Sequence, residues 1–240
     1  MTTGTLASDA AAELHSQGFL RVSQLAPPGV VAKLISSIAA DESLQHSASR
    51  SGAHYASRNL LHNGEVQSFS RSPRVLALLG GLMGAEPFAV RAILFDKAPG
   101  ANWRVGWHQD LMIPVQQRIE TPGFTAWSVK AGVHHVKPPA EVLQRMLTIR
   151  LALDDCGEEN GPLEVQPGSH REGVLSSSDI RGCLSRVEPH ACTTRRGDAV
   201  LMRPLLLHGS RKATAPSHRR VLHVEYACEG LPGGLEWESS

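Results

Sequence analysis

Residues 146–165 read MLTIRLALDDCGEENGPLEV, and this stretch decides the class of fold. The apolar run at 146–153 has the length and composition of a buried strand. Residues 157–161 begin and end with glycine and predict a turn, and residues 163–165 predict a second short strand. The stretch therefore indicates a protein built from short β-strands.

The same pattern recurs on both sides of this stretch. Residues 88–96, 200–208 and 219–227 predict further strands, and glycine and proline turns separate them. Many short strands at such intervals are typical of a jelly roll or barrel rather than of a parallel α/β fold.

The N-terminal residues 1–86 differ and predict mostly helices. Pro27-Pro28 and Ser72-Pro73 each precede an apolar pattern of helical period, and proline is well tolerated in a first helical turn. We expect one domain over 1–240, mainly β with flanking helices. In it, the N-terminal helices pack on one sheet of a cupin-like barrel formed by residues 87–230.

Composition excludes several classes of partner. The 240 residues are 41% hydrophobic and 20% charged, with a formal net charge of +1. This content allows a substantial core but gives no electrostatic reason for nucleic acid or a membrane to bind. Residues 1–20 lack Lys, Arg and an apolar signal-peptide core, so we expect a cytoplasmic protein with small-molecule partners. The four cysteines show no close pairing and predict free thiols.

The motif Trp107-His108-Gln109-Asp110 suggests a metal site. Side chains two positions apart on a strand share one face, so His108 and Asp110 are expected to point at one ion. An open metal site needs a third ligand, and His208 at the end of an apolar run is the candidate. Two histidines and one carboxylate form the facial triad of non-haem Fe(II) oxygenases.

An anion-binding group is expected beside this triad. If residues 209–218 connect an antiparallel pair, Arg219 lies opposite His208. A guanidinium in that position is suited to the far end of a dicarboxylate, and Ser210 offers a further hydrogen bond. Arg220 is adjacent, and a shift of one residue would exchange the two faces.

These residues resemble the phytanoyl-CoA dioxygenase family of Fe(II)/2-oxoglutarate oxygenases over about residues 88–228. The resemblance rests on residues 108–110, on GPLEVQPGSH at 161–170, and on His208-Gly209-Ser210 followed by Arg219. It implies a double-stranded β-helix with iron on His108, Asp110 and His208. It also implies 2-oxoglutarate chelating that iron, with its distal carboxylate held by Arg219 and Ser210.

The resemblance implies a reaction and further site residues. The reaction is oxidative decarboxylation of 2-oxoglutarate to succinate with O2, coupled to substrate oxidation. A carboxylate ligand at Asp110 favours hydroxylation or desaturation over halogenation. Leu94, Thr148 and Arg150 are expected to line the co-substrate pocket, with Arg150 at a position where relatives often carry an aromatic residue.

Two segments are candidates for contact with the substrate, a small or medium organic metabolite. Residues 111–145 lack a clean period, which is typical of a functional lid over an active site. This lid-like insert contains Trp127, Lys130 and His134. Residues 45–67 predict an irregular segment that carries Arg58 and Asn59. Nothing in the sequence requires coenzyme A or predicts an oligomeric state.

Rival interpretations remain open at this point. A desaturase or cyclase of the same class would keep every motif above. A cupin-like metal-dependent isomerase or hydrolase would share the barrel and the histidines but would not need Arg219. A non-catalytic binding module is a further alternative. His170 is expected in a structural turn, and His15, His46, His190, His218 and His223 as surface or hydrogen-bonded core residues.

Overall fold

The computed structural model describes residues 3–42, 48–50, 53–97, 102–215 and 218–238. Its α-helices are α1 (Thr3–Gln17), α2 (Pro28–Ala39), α3 (Gly64–Ser70), α4 (Pro73–Met83), α5 (Ala140–Gln144) and α6 (Ser177–Arg186). Its strands are β1 (Phe19–Val22), β2 (Ala48–Arg50), β3 (Ala53–Ser57), β4 (Phe88–Lys97), β5 (Val105–His108), β6 (Ile113–Val115), β7 (Thr125–Lys130), β8 (Val133–Lys137), β9 (Leu147–Ala152), β10 (Leu163–Val165), β11 (His190–Cys192), β12 (Ala199–Met202), β13 (His208–Ser210) and β14 (Arg219–Ala227).

Two antiparallel sheets form the barrel. The main sheet has the order β1-β12-β9-β14-β4-β3-β2, and the minor sheet has the order β11-β10-β13-β5. The chain passes repeatedly between them, from β4 to β5, from β9 to β10, from β11 to β12 and from β13 to β14. This alternation is the topology of a double-stranded β-helix, so the predicted jelly-roll fold is confirmed.

The largest hydrophobic core lies between the main sheet and the N-terminal helices. Helix α2 buries Val31, Leu34 and Ile38, a spacing that places them on one helical face. They belong to the same buried cluster as Leu151 of β9 and Leu222 of β14. Side chains alternate across a strand, so the neighbouring residues of β9 and β14 face the barrel interior.

The segment from residue 45 to 67 departs from the predicted irregular structure. Strands β2 and β3 extend the edge of the main sheet, with β3 paired to β4, and helix α3 follows. The strands are only three and five residues long, which leaves little periodic signal. Residues 43–47, which include His46, and residues 51–52 lie outside the described part of the chain.

The insert at 111–145 is an ordered subdomain rather than an irregular loop. Strands β6, β8 and β7 form a third sheet, and α5 follows it. Its buried face carries Ile113, Val115 and Val136, which pack with Leu143 and Leu235. The period was missed because β7 contains Ala126 at a φ of 54°, which interrupts the regular pairing with β8.

Two smaller expectations concern cysteines and the membrane. Cys156, Cys183, Cys192 and Cys228 are all free thiols, as predicted, and the first three are buried. Within the described ranges, no helix has the length and apolar character needed to cross a bilayer.

Tyr226 of β14 connects the main sheet to the helical layer. Its side chain is fully buried, and its hydroxyl donates to the backbone oxygen of Ser70 at the end of α3, at 3.2 Å. We predict that Tyr226→Phe lowers the free energy of unfolding by about 1 kcal/mol, because it removes one hydrogen bond and keeps the ring. Tyr226→Ala should cost roughly 3–5 kcal/mol through the cavity that it leaves. Urea denaturation measures both, and equal losses would contradict this assignment.

Candidate metal centre and co-substrate pocket

Pairing of β5 with β13 places three potential metal ligands together. His108 and His208 are direct cross-strand partners, and their ring centroids lie 4.2 Å apart. Asp110 follows β5, and its backbone N–H donates to the oxygen of Pro204 at 2.9 Å. The Nε2 atoms of His108 and His208 lie 3.9 and 3.7 Å from the Asp110 carboxylate oxygens. These distances exceed a hydrogen bond but suit three groups arranged around one ion.

Backbone carbonyls set the tautomer of both histidines. His108 Nδ1 lies 2.8 Å from the oxygen of Gly106, and His208 Nδ1 lies 2.9 Å from the oxygen of Leu206. A carbonyl only accepts, so each Nδ1 carries the proton and donates it. The unprotonated Nε2 atoms then face Asp110, which is the arrangement that a metal-binding imidazole requires.

The protonation states also suit a metal ion. Burial lowers the pKa of His208 to about 3, so its imidazole is neutral near pH 7. Burial by itself would raise the pKa of Asp110, but the surrounding imidazoles, foremost His208, hold that pKa below its usual range. The carboxylate oxygen Oδ2 is buried without a hydrogen-bond partner among the described residues. Two imidazoles and an unsatisfied carboxylate form a donor set that fits a divalent transition metal.

Gln109 holds this motif in place from the opposite face of the strand. Its Nε2 donates to the oxygens of Gly173 and Leu205 at 2.8 and 2.7 Å. Its Oε1 accepts from the backbone N–H of Leu175 at 2.8 Å. Gln109, which lies between the two ligands, is therefore buried, and both ends of its side-chain amide form hydrogen bonds to the backbone.

The three ligands open into a cavity of about 230 Å³ inside the barrel, which Arg219 and Ser210 also line. Arg219 is buried and donates to the oxygen of Gly161, while its Nε has no partner in the described part of the chain. Arg220 instead forms a two-pronged pair with Asp154, at 2.8 and 2.6 Å. Of the two adjacent arginines, Arg219 is the one that reaches the cavity.

The expected pairing of His208 with Arg219 is wrong, although both line the cavity. Strand β13 pairs with β5 and β10 in the minor sheet, whereas β14 pairs with β4 and β9 in the main sheet. The connection at 209–218 therefore crosses between sheets, as jelly-roll connections do, and does not join neighbouring strands. His208 and Arg219 reach the cavity from different walls.

Of the other residues predicted to line the co-substrate pocket, only Arg150 does so. Thr148 shares its face of β9 and is fully buried, but it does not line the cavity. Leu94 packs against the helical core, and its neighbours Ile93 and Phe95 line the cavity instead. The prediction for Leu94 was wrong by one residue, which in a strand means the opposite face.

A buried polar chain along the cavity wall was not predicted. Arg150 donates to His223 Nδ1 at 3.0 Å, because a guanidinium only donates. His223 Nε2 then carries the proton and donates to Glu225 Oε1 at 3.0 Å, and Glu225 also pairs with Arg91. His223 is the hydrogen-bonded core residue that was expected, but it also lines the cavity. Residues 219, 223 and 225 are polar and lie an even number of positions apart, so the sequence already indicated that their side chains share one strand face.

None of the five predicted substrate residues lines this cavity, and only Asn59 lines a second one. The second cavity, of about 270 Å³, is lined by Asn59, Pro114 and His135, and Arg91 lines both cavities. Arg58, Trp127, Lys130 and His134 line neither. Trp127 packs in the insert, where the guanidinium of Arg118 lies 5.5 Å from its ring centroid. His170 lies in a 3-10 turn, 3.1 Å from the oxygen of His15, as expected for a structural residue.

Comparison with known proteins places these features in a family. L-proline trans-4-hydroxylase of Streptomyces griseoviridis is 27% identical over 175 residues, which cover 62% of this chain and 56% of the hydroxylase. The chain thus spans little more than half of that relative's length.

Solved structures share the fold over nearly all of this chain. The non-heme alpha ketoglutarate dependent epimerase SnoN from nogalamycin biosynthesis aligns with a TM-score of 0.69 at 18% identity, over 96% of this chain and 91% of SnoN. EctD from S. alaskensis, crystallised with 2-oxoglutarate and 5-hydroxyectoine, aligns with a TM-score of 0.70 at 18% identity, over 95% of this chain and 76% of EctD.

The family model for phytanoyl-CoA dioxygenase (PhyH) matches residues 14–221, which include every ligand candidate and Arg219. The chain belongs to the phytanoyl-CoA dioxygenase family, whose members use Fe(II), 2-oxoglutarate and dioxygen.

Proposed function

We propose that this protein is a non-haem Fe(II)- and 2-oxoglutarate-dependent dioxygenase that hydroxylates a small or medium organic metabolite. The observation that carries the proposal is the convergence of His108, Asp110 and His208 in a cavity that also holds Arg219. Family membership supports the same activity.

His108, Asp110 and His208 would hold the iron through two Nε2 atoms and one carboxylate. Such a triad leaves coordination positions open for a co-substrate and for dioxygen. The bound iron would supply the oxidative decarboxylation of 2-oxoglutarate to succinate and carbon dioxide, coupled to oxidation of the substrate. The chain itself positions the ligands and excludes water.

Arg219 and Ser210 would bind the distal carboxylate of 2-oxoglutarate. Two features support this: Arg219 is buried, and its Nε lacks a partner among the described residues. A buried guanidinium with a free donor is costly unless an anion binds it. Arg150 adds positive charge to the same cavity, where its only hydrogen bond within the described ranges is to His223.

The substrate would occupy the remainder of the cavity, between apolar and charged walls. Ile93, Phe95 and Leu163 offer apolar contact, and Arg91 lies between this cavity and the second one. The relative that acts as an L-proline hydroxylase supports a small, polar substrate. The ordered insert next to the second cavity is proposed as the lid over the substrate, with Lys130 exposed and Trp127 and His134 partly buried.

A second candidate is a different oxidative outcome at the same site, such as desaturation, ring closure or epimerisation. It is favoured by the likeness to the epimerase SnoN and to the carbocyclase SnoK, which aligns with a TM-score of 0.71 at 17% identity. A cupin-like isomerase or hydrolase that does not bind 2-oxoglutarate would not need the buried Arg219.

Removal of one triad ligand should strongly weaken iron binding. We predict that His108→Ala weakens Fe(II) affinity by at least about 100-fold, because loss of even an outer partner of a metal ligand costs 10–100-fold. His134→Ala, a partly exposed histidine of β8, is the matched control and should bind iron like the wild type. Anaerobic equilibrium dialysis measures both affinities, and equal affinities for the two variants would refute the assignment of the triad.

Isotope labelling distinguishes the two candidate outcomes. With ¹⁸O2 and a panel of small amino-acid-derived metabolites beginning with L-proline, we expect succinate release and a product that carries one ¹⁸O atom. Mass spectrometry of succinate and product provides the readout. Succinate release with an unlabelled, dehydrogenated, cyclised or epimerised product would favour the second candidate. Turnover of a substrate without succinate would rule out both.

A further inference from the structure

Lys97, the last residue of β4, places a second cation beside the co-substrate pocket. Its side chain is only 2% exposed, and it is the direct cross-strand partner of Arg219. Its Nζ donates to Ser210 Oγ at 2.9 Å and to the backbone oxygen of Arg211 at 2.7 Å. The ammonium also lies 5.6 Å from the ring centroid of Trp103, which lines the cavity. Lys97 itself does not line the cavity, but it contacts Ser210 and Trp103, which do.

These two adjacent cations lack a counter-ion among the residues that the structure describes. Within the described residues, no carboxylate forms an ion pair with Lys97 or Arg219. The residues outside the described ranges include no Asp or Glu, so no acidic side chain remains to fill this role. Buried charges are normally paired, because an unpaired charge loses its hydration without compensation. We therefore expect Lys97 and Arg219 to bind an anionic ligand.

The hydrogen bond from Lys97 determines which way the Ser210 hydroxyl acts. An ammonium has no lone pair, so Ser210 Oγ is the acceptor of that bond. The hydroxyl proton must then be donated to another group, and none of the described residues accepts it. Ser210 lines the cavity, so its remaining donor is available to a ligand there.

We propose that Lys97 is a positioning residue for 2-oxoglutarate: its ammonium acts as the second cation of the distal-carboxylate site and makes the Ser210 hydroxyl a donor to that carboxylate. The inference rests on the proposed function, since it concerns the same co-substrate. It goes beyond that function by assigning a residue outside the expected Arg219 and Ser210 pair.

Proton binding gives this assignment a measurable signature. The pKa of Lys97 is lowered to about 7, mainly by burial and further by the charges of Arg219 and Arg150. Cys156 and Glu164 act in the opposite direction and raise this pKa. A bound dicarboxylate adds negative charge beside the ammonium and raises its pKa. Below pH 7 the lysine is already protonated. Above pH 7, binding must take up a proton, so affinity for 2-oxoglutarate falls as the pH rises.

Anaerobic calorimetry of the Fe(II)-loaded protein tests the assignment. 2-Oxoglutarate is titrated between pH 6 and 9 in buffers of different ionisation enthalpy, which reveals proton uptake. 2-Oxopentanoate, which lacks the distal carboxylate, is the matched ligand. The variants are Lys97→Met, Lys97→Arg and, as a control, Lys33→Met on the exposed side of α2.

The wild type and Lys33→Met should take up a proton near pH 8, and their affinity should fall with rising pH. Lys97→Met should take up none and should bind 2-oxoglutarate at least about tenfold more weakly at pH 6, the loss expected for a charge-assisted hydrogen bond. Its affinity for 2-oxopentanoate should be unchanged. Lys97→Arg should keep the affinity at pH 6 but lose the proton uptake.

Other results would overturn the proposal. If Lys97→Met binds 2-oxoglutarate with wild-type affinity and proton uptake, Lys97 has no role at the carboxylate, while the proposed function stands. If Lys97→Met and Lys97→Arg weaken both oxo acids equally, the residue only supports the fold. If the iron-loaded wild type fails to bind 2-oxoglutarate at all, the proposed function itself falls.

Discussion

The antiparallel pairing of β5 with β13 is the constraint on which the site depends. It sets His108 opposite His208, and the carboxylate of Asp110, two positions later, lies 3.9 and 3.7 Å from their Nε2 atoms. Carbonyls of Gly106 and Leu206 orient both rings, and Gln109 ties the motif to two loops behind it. A slip of one residue in this pairing would turn the ligands away from each other, so fold and site are specified by the same register.

The main sheet separates an apolar layer from a charged interior. One face of β9 and β14 packs Leu151 and Leu222 against the N-terminal helices, and the other presents Arg150, Arg219 and His223 to the cavity. Burial of so many polar groups is unfavourable unless each finds a partner. Glu225 balances Arg91, whereas the cations near Ser210 have no such anion among the described residues. A dicarboxylate co-substrate would supply the missing charge.

Sequence patterns predicted the elements that rest on local chemistry. Three patterns were enough for the fold and for the three clustered side chains: the spacing of His108 and Asp110, the apolar run before His208, and N-terminal helices followed by many short strands. They could not place Leu94, because a one-residue choice of face is decided by tertiary packing. They put Arg219 opposite His208, because no local signal shows that the connection between them crosses from one sheet to the other. Lys97 and the place of His223 in the cavity wall were missed. The period of two through residues 219, 223 and 225 puts them on one strand face, but nothing along the chain shows which buried polar residues meet across strands.

We propose that one cavity binds iron through the triad and 2-oxoglutarate through both the iron and Arg219. The visible spectrum of the purified protein after anaerobic addition of Fe(II) and 2-oxoglutarate tests this proposal most directly. We predict a weak charge-transfer band from the chelate, absent in His108→Ala and weaker in Arg219→Ala at the same 2-oxoglutarate concentration. A folded, iron-loaded wild type that shows no such band at saturating 2-oxoglutarate would contradict it.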